Sequence, residues 1–314
     1  MKHTGAFIHP QRLPRTGAIL LFFVILFAAL TGNAATRDPL EKLPELGVFL
    51  ENVRVHLRSD RLLQSRYTYK LKQTKIELDG DGNLKKTEVD VFDVFPSLDD
   101  KYTYLRQTVD DGKPLDPEEI EKQDRSHAKK MEKRARELEK EGIDERTRRL
   151  RKEEEEKRIE NQVIDELFRM YEFSLIQREI IDGYPAIQLE FRPSPDFKPS
   201  SREAKIMSKI AGLAWFCEED YQLIRANVEL IDNVSFGKGL LAKLHKGTKA
   251  SITRRRINNE VWLPAKAHVV GSARILLIKK IQINTINEYS DYKKFVVDTS
   301  IDYRVHEPET ESTP

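Results

Sequence analysis

Cysteine is almost missing: Cys217 is the single one in 314 residues. No internal disulfide can form, so the fold must be held by its core, and a chain of this length can supply one. An excess of one charge is missing too. The 54 basic and 52 acidic residues leave a formal net charge of +2, without the concentrated positive field that general nucleic-acid binding requires. Histidines number only seven. His3 and His9 fall near the N-terminus, while His56, His127, His245, His268 and His306 are scattered without the paired spacing of a zinc site. There is no Gly-x-Ser-x-Gly elbow and no Gly-rich phosphate loop; Gly237-Lys238-Gly239 is too short to count as one. No catalytic constellation stands out, so a non-enzyme without cofactor or metal is expected. Cys217 reads as a small buried core residue.

Long apolar runs are also scarce. The one of note lies near the start, where Lys2, Arg12 and Arg15 precede an uncharged stretch from Ala18 to Leu30 and then Thr31-Gly32-Asn33-Ala34-Ala35. That order is the basic, apolar and small-residue sequence of a cleavable signal peptide. The run falls short of the about 20 residues a spanning helix needs. Residues 1–35 are therefore expected to be removed after Ala34 or Ala35. The mature protein is then expected in the periplasm, not integral to the membrane and, with no cysteine at the junction, not lipidated there.

The period of the apolar residues organises the rest. Leu46, Phe49, Leu50, Val53 and Leu57 recur at helical spacing, predicting an amphipathic helix between Pro44 and Leu63. From Tyr67 to Ile76 and from Val89 to Phe95 the chain alternates as strands do, around Asp79-Gly80-Asp81-Gly82-Asn83. Those five residues resemble the opening of an EF-hand calcium loop. Leu84 then stands where glycine belongs and Asp90 where glutamate belongs, so a hairpin turn is the reading. A third strand is expected from Lys101 to Val109.

The composition changes abruptly at 115–170. Between Pro117 and Glu160 fifteen acidic and fifteen basic residues alternate with few apolar ones. Pairs such as Glu121 with Arg125 and Glu132 with Arg136 have the four-residue spacing that supports a solvated helix. Gly142 and Asp144 read as a stop and a new start, which favours a helical hairpin over one rod. Strand patterns resume at Tyr171 and continue to Val297, around Asp182-Gly183 and Asn258-Asn259 turns. A short helix between Ser200 and Ile210 interrupts them. Residues 306–314 are expected to be a disordered tail. About ten strands with short turns imply an antiparallel meander, curved into an open barrel. Phe191, Leu189, Leu213, Trp215 and Trp262 belong to a large apolar inventory, which either fills that barrel or lines a ligand cavity.

Two segments carry a family resemblance. Gly212-Leu213-Ala214-Trp215-Phe216-Cys217-Glu218-Glu219-Asp220-Tyr221-Gln222-Leu223-Ile224-Arg225 resembles the part of LolA/LolB-like envelope proteins where a tryptophan strand turns at an acidic pair into a strand ending in arginine. Val261-Trp262-Leu263-Pro264, Ala273-Arg274 and the run Glu288 to Phe295 look like the closing strands of the same group. The likeness extends over Tyr67 to Val297 apart from the charged insertion, which is foreign to the small carriers of that group. It implies a mainly antiparallel α+β fold, a curved half-open barrel lidded by helices; with the N-terminal helix, the short helix as a lid and the helical insertion already read from the sequence, this domain is expected at 36–305. It also implies a periplasmic carrier or binding protein for lipid, lipoprotein acyl chains or similar apolar ligands. Trp215, Leu213, Phe191, Leu189 and Trp262 are the expected ligand-binding residues. The alternative is an envelope structural or interaction protein with a filled core, docking on a partner through its charged helices.

Overall fold

The computed structural model describes residues 42–56, 64–79, 83–97, 102–236, 241–276 and 278–295. The expected signal peptide, the tail at 306–314, the Gly80–Gly82 part of the first turn, Gly237-Lys238-Gly239 and Leu277 lie outside them. The chain is an α+β protein built on one large antiparallel sheet that does not close. Helix α1 (Leu46–His56) precedes a meander of β1 (Tyr67–Leu78), β2 (Leu84–Phe95), β3 (Tyr104–Asp110) and the two-residue β4 (Lys113–Pro114). Helices α2 (Pro117–Glu139) and α3 (Ile143–Met170) follow. Next come β5 (Tyr171–Ile181), β6 (Tyr184–Pro193), α4 (Arg202–Met207), β7 (Ile210–Cys217) and β8 (Leu223–Leu230). The last strands are the short β9 (Val234–Phe236) and β10 (Ala242–Leu244), then β11 (Lys249–Ile257), β12 (Val261–Ile275) and β13 (Lys279–Lys294).

The order across the sheet is β4-β3-β2-β1-β13-β12-β11-β8-β7-β6-β5, with β10 beside β12 and β9 beside β10. Two meanders are thus joined where β1 pairs with β13. Tight turns fix the registers: Asp182 and Gly183 have φ of 51° and 86°, and Asn258 and Asn259 have 52° and 55°. Two consecutive residues at positive φ form the hairpin turn whose twist matches that of the strands, which Gly and Asn adopt at little cost.

Helices α2 and α3 connect opposite ends of this sheet, because β4 lies at one edge and β5 at the other. At 1.5 Å per residue the two helices are about 35 and 42 Å long. Ten strand spacings amount to about 48 Å if the sheet were flat. A bent pair of helices is therefore long enough to strap one edge to the other. The expected hairpin is corrected in one respect: the two helices are separated by Lys140–Gly142, yet they do not pack along each other. Both helices are rich in charged side chains, and α2 buries no residue. At the β3 edge, Gln123 of α2 accepts from the backbone N–H of Gln107 at 3.0 Å and donates to its carbonyl at 3.0 Å. This side-chain amide occupies backbone groups that a neighbouring chain could otherwise pair with.

The far end of α3 returns to the sheet. Ile164, Met170, Phe49 and Val53 of the helices, with Ala204 and Met207 of α4, are buried against Ile187, Leu189 and Phe191 of β6 and Ala214 and Phe216 of β7. Ser201 caps α4 by accepting from the backbone N–H of Ala204 at 2.9 Å. Phe49 meets Phe216 and Tyr221 edge-on at 6.3 and 5.6 Å between ring centres. The short helix expected as a lid is therefore part of the core.

Candidate functional site

Residues directly opposite each other in an antiparallel sheet share a face, so the registers trace each face across the molecule. One row runs Ala267, Ile252, Ala226, Ala214, Leu189 and Leu175 from β12 to β5; Ala267 stands opposite Asn287, and two residues further along β13 on the same face a second stretch runs Tyr289, Leu71 and Phe92 over β13, β1 and β2. Both stretches are apolar, and their face also carries α1, α4 and the end of α3. The row on the other face reads Val91, Lys72, Glu288, Lys266, Thr253, Arg225, Trp215 and Gln188. It is mostly polar, and Lys72 and Glu288 pair there at 3.1 Å. Alternation along each strand thus sorts the sheet into an apolar, helix-bearing face and a charged one.

The apolar face has two halves. Over β5–β8 it is filled by the helices. Over β11–β13 and β1, the buried cluster of Ile252, Ala267 and Tyr289, with Tyr69, Leu71, Ala226 and Tyr292 against it, consists of strand residues alone. Tyr69, Leu71 and Phe92 remain half-buried. The tyrosines form a continuous ring contact: Tyr69 lies 5.9 Å from Tyr289 and 5.3 Å from Tyr292, and Tyr67 lies 6.4 Å from Tyr292. Tyr67 donates to Glu260 and accepts from Asn258 Nδ2 at 3.0 Å; Tyr292 donates to the Pro264 carbonyl at 2.6 Å. Burial pushes the Tyr289 phenol up to about 12. Burial, reinforced by Glu260, does the same to Tyr67. The lining therefore stays uncharged at neutral pH. Toward one end it turns polar, with Gln73 bonded to Asn287 at 3.1 Å and Lys75 to Asp90 at 2.9 Å. Such a surface has the chemistry to hold an apolar chain beside a polar group.

The five residues expected to bind ligand do not share a surface. Leu189 and Phe191 point into the filled, helix-covered half. Trp215, Trp262 and Leu213 lie on the opposite face, in a cluster with Ile181, Ala186, Cys217, Ile224 and Tyr184. That cluster is itself closed: Trp262 is 1% and Trp215 6% exposed. Tyr184 meets Trp262 edge-on at 5.0 Å. Arg225 lies over the Trp215 ring at 5.5 Å and Arg256 over the Tyr184 ring at 5.6 Å. Both indole N–H groups are used, Trp215 toward Glu179 and Trp262 toward Asp220 at 2.9 Å. Here the acidic turn of the sequence finds its structural work, anchoring a tryptophan and, through Glu218, a buried arginine. Cys217 is fully buried, and burial, with the nearby Asp220 carboxylate, pushes its thiol up to about 12. It is a core residue, without the thiolate that a nucleophile needs.

The residues that the sequence reading missed, Tyr69, Leu71, Phe92, Tyr289 and Tyr292, do carry a sequence signal. Tyr67-Thr68-Tyr69-Lys70-Leu71-Lys72 sets aromatic and aliphatic side chains on one face against lysines on the other. Glu288-Tyr289-Ser290-Asp291-Tyr292 places its two tyrosines within one turn of irregular strand.

Together these features define an open antiparallel α+β sheet with one apolar face, half of it covered by helices. No known family's sequence profile matches the chain, and no curated protein matches it. Among solved structures it is similar to a DUF1329 family protein from Desulfovibrio piger, with 13% identity, 86% of this chain and 98% of that chain covered, and a TM-score of 0.26. At that score the likeness carries no argument, and the fold class rests on the strand pairing itself.

Proposed function

We infer that this protein is a non-catalytic binding protein or carrier for an apolar ligand, a lipid or a lipoprotein acyl chain, acting in the periplasm after export. In this reading the sheet is the curved half-barrel of the LolA/LolB-like group. The observation that supports it is the strand-only lining of half-buried Tyr69, Leu71, Phe92 and Tyr292 around the buried Tyr289, continuous with the filled core. The ligand lies there, and not on Trp215 or Leu189 as the sequence first suggested. Each buried methylene contributes about 0.8 kcal/mol, so association needs no covalent step. The test is titration with a fluorescent fatty acid beside native mass spectrometry of the gently purified protein. Leu71→Glu, a change on a half-buried strand position, is expected to abolish uptake, while Trp215→Phe leaves it intact. Equal uptake by Leu71→Glu and the parent, or no lipid with either method, refutes the reading.

A second reading has its own observation. The helix-covered half of the face is filled, and α2 buries nothing, which suits an envelope interaction protein that docks through its charged helices. Partner binding that collapses with salt and survives Leu71→Glu would favour it.

A further inference from the structure

We propose that the bend between α2 and α3 is a membrane-docking tip that recognises an anionic lipid surface. Three observations meet there. First, Ile143, the opening residue of α3, is 86% exposed, more than any other large apolar residue described, and Leu138 and Leu150 beside it are exposed as well. Second, residues 133–152 hold nine basic side chains against five acidic ones, whereas the whole insertion is balanced. Pairing within the stretch leaves that excess of four unchanged. Glu141 is taken by Arg149 through contacts of 2.8, 2.9 and 3.2 Å, which also stiffen the bend. Arg134, Lys140 and Arg148 line a crevice at the tip with Glu137, Glu141 and Glu145, a recess of mixed charge. Third, the body contacts of the two helices fall on either side of the bend: α2 touches β3, with Lys130 and Arg134 over the Tyr102 ring at 5.3 and 5.6 Å, and α3 touches α4 and β5.

A bend with a few exposed apolar side chains is too small for a stable protein interface, which buries about 1,200 Å² or more. It is well suited to shallow insertion among headgroups, where apolar side chains enter the interface and arginines meet lipid phosphates. Zwitterionic lipid offers the same apolar boundary without net negative potential, so the excess of basic residues selects anionic lipid. The strap then presents the open sheet to the bilayer; among the described residues no helix is long and apolar enough to cross it.

The experiment is sedimentation of the purified full-length protein with vesicles of phosphatidylcholine alone or mixed equally with phosphatidylglycerol. All variants share one N-terminus, so a contribution from the leader cancels between them. Binding is expected to the mixed vesicles only, and to fall steeply with added salt. At about fivefold per basic residue, Arg146→Gln with Arg148→Gln lowers the partition coefficient roughly 25-fold. Ile143→Glu, on an exposed position, lowers it at unchanged circular dichroism. Equal binding to both vesicle types, no binding, or variants that bind like the parent overturns the proposal. Fatty-acid uptake in the same variants is unaffected whichever way this comes out, which separates the tip from the ligand face.

Discussion

The pair Arg178 and Glu218 offers the sharpest energetic test of how the covered half is built. Arg178 donates from Nε and Nη2 to the two Glu218 oxygens at 2.7 and 2.8 Å, and also to the Lys42 carbonyl at 3.3 Å. The two side chains are only 2% and 5% exposed. Such a pair gains little over a well-packed apolar substitute, since desolvation offsets most of the attraction, but removing one partner strands the other charge. Arg178→Met should therefore cost about 3–5 kcal/mol, a large share of the roughly 5–15 kcal/mol that holds a typical domain folded. With a urea slope of about 1–3 kcal/mol/M, the midpoint falls by about 1 M or more. Arg178→Met with Glu218→Met should recover most of that loss. Urea unfolding followed by the fluorescence of Trp215 and Trp262 measures both. A single variant within 1 kcal/mol of the parent, or a double variant no better than the single, refutes the reasoning.

Asp93 makes stability pH-dependent: burial pushes its carboxyl up, but hydrogen bonds from Lys70 at 2.7 Å and Arg106 at 2.8 Å outweigh that and hold it below its ordinary value of 3.8. A depressed folded value stabilises above the unfolded one and is lost as pH falls through it, so Asp93→Asn should cost about 1 kcal/mol near neutrality and flatten urea midpoints below pH 3.8. Gln123→Ala uncovers the backbone of Gln107 at the β3 edge, and light scattering should then show faster association of the variant at equal concentration. Cys217 should resist a thiol reagent at pH 8 in the folded protein and react at the unfolding rate in urea; prompt labelling would contradict its burial.

Period was legible in the sequence and parity was not. The helix at Leu46, the alternating strands from Tyr67, the Asp182-Gly183 turn and the break at Gly142 all announce themselves through residues within one or two turns of each other. Leu189 and Trp215, however, look equally apolar in sequence. Only the pairing of Ala214 with Leu189 and of Gln188 with Trp215 sends them to opposite faces. Bulges make this harder, because the slip between Trp215 and Phe216 and the one between Thr253 and Arg254 each reset the alternation along a strand. The β1–β13 junction was hidden for another reason. Tyr67 pairs with Lys294 across most of the chain length, and nothing local in either strand names its partner. The proposed ligand face lies on that junction, and no single stretch of the sequence shows its tyrosines as one surface.

The same junction predicts what happens when the strap is cut. Severing the chain at the α2–α3 bend leaves an N-terminal piece with α1 and β1–β4 and a C-terminal piece with the remaining strands. They share no covalent bond, since no disulfide is available. They do share eight paired positions between β1 and β13, the α1 contacts of Phe49 and Val53 with the β6–β8 core, and the tyrosine contacts of Tyr67 and Tyr69 with Tyr289 and Tyr292. Burying several large side chains at about 1.5–3 kcal/mol each is enough to keep the pieces together once folded. A specific protease site placed at Gly142, which is exposed with open space around its Cα, tests this. The nicked protein should elute from a native sizing column as one species and separate only in denaturant, while its fatty-acid uptake persists. If the halves part under native conditions, the β1–β13 seam is held by the strap and not by its own pairing, and a ligand face built across that seam loses its foundation.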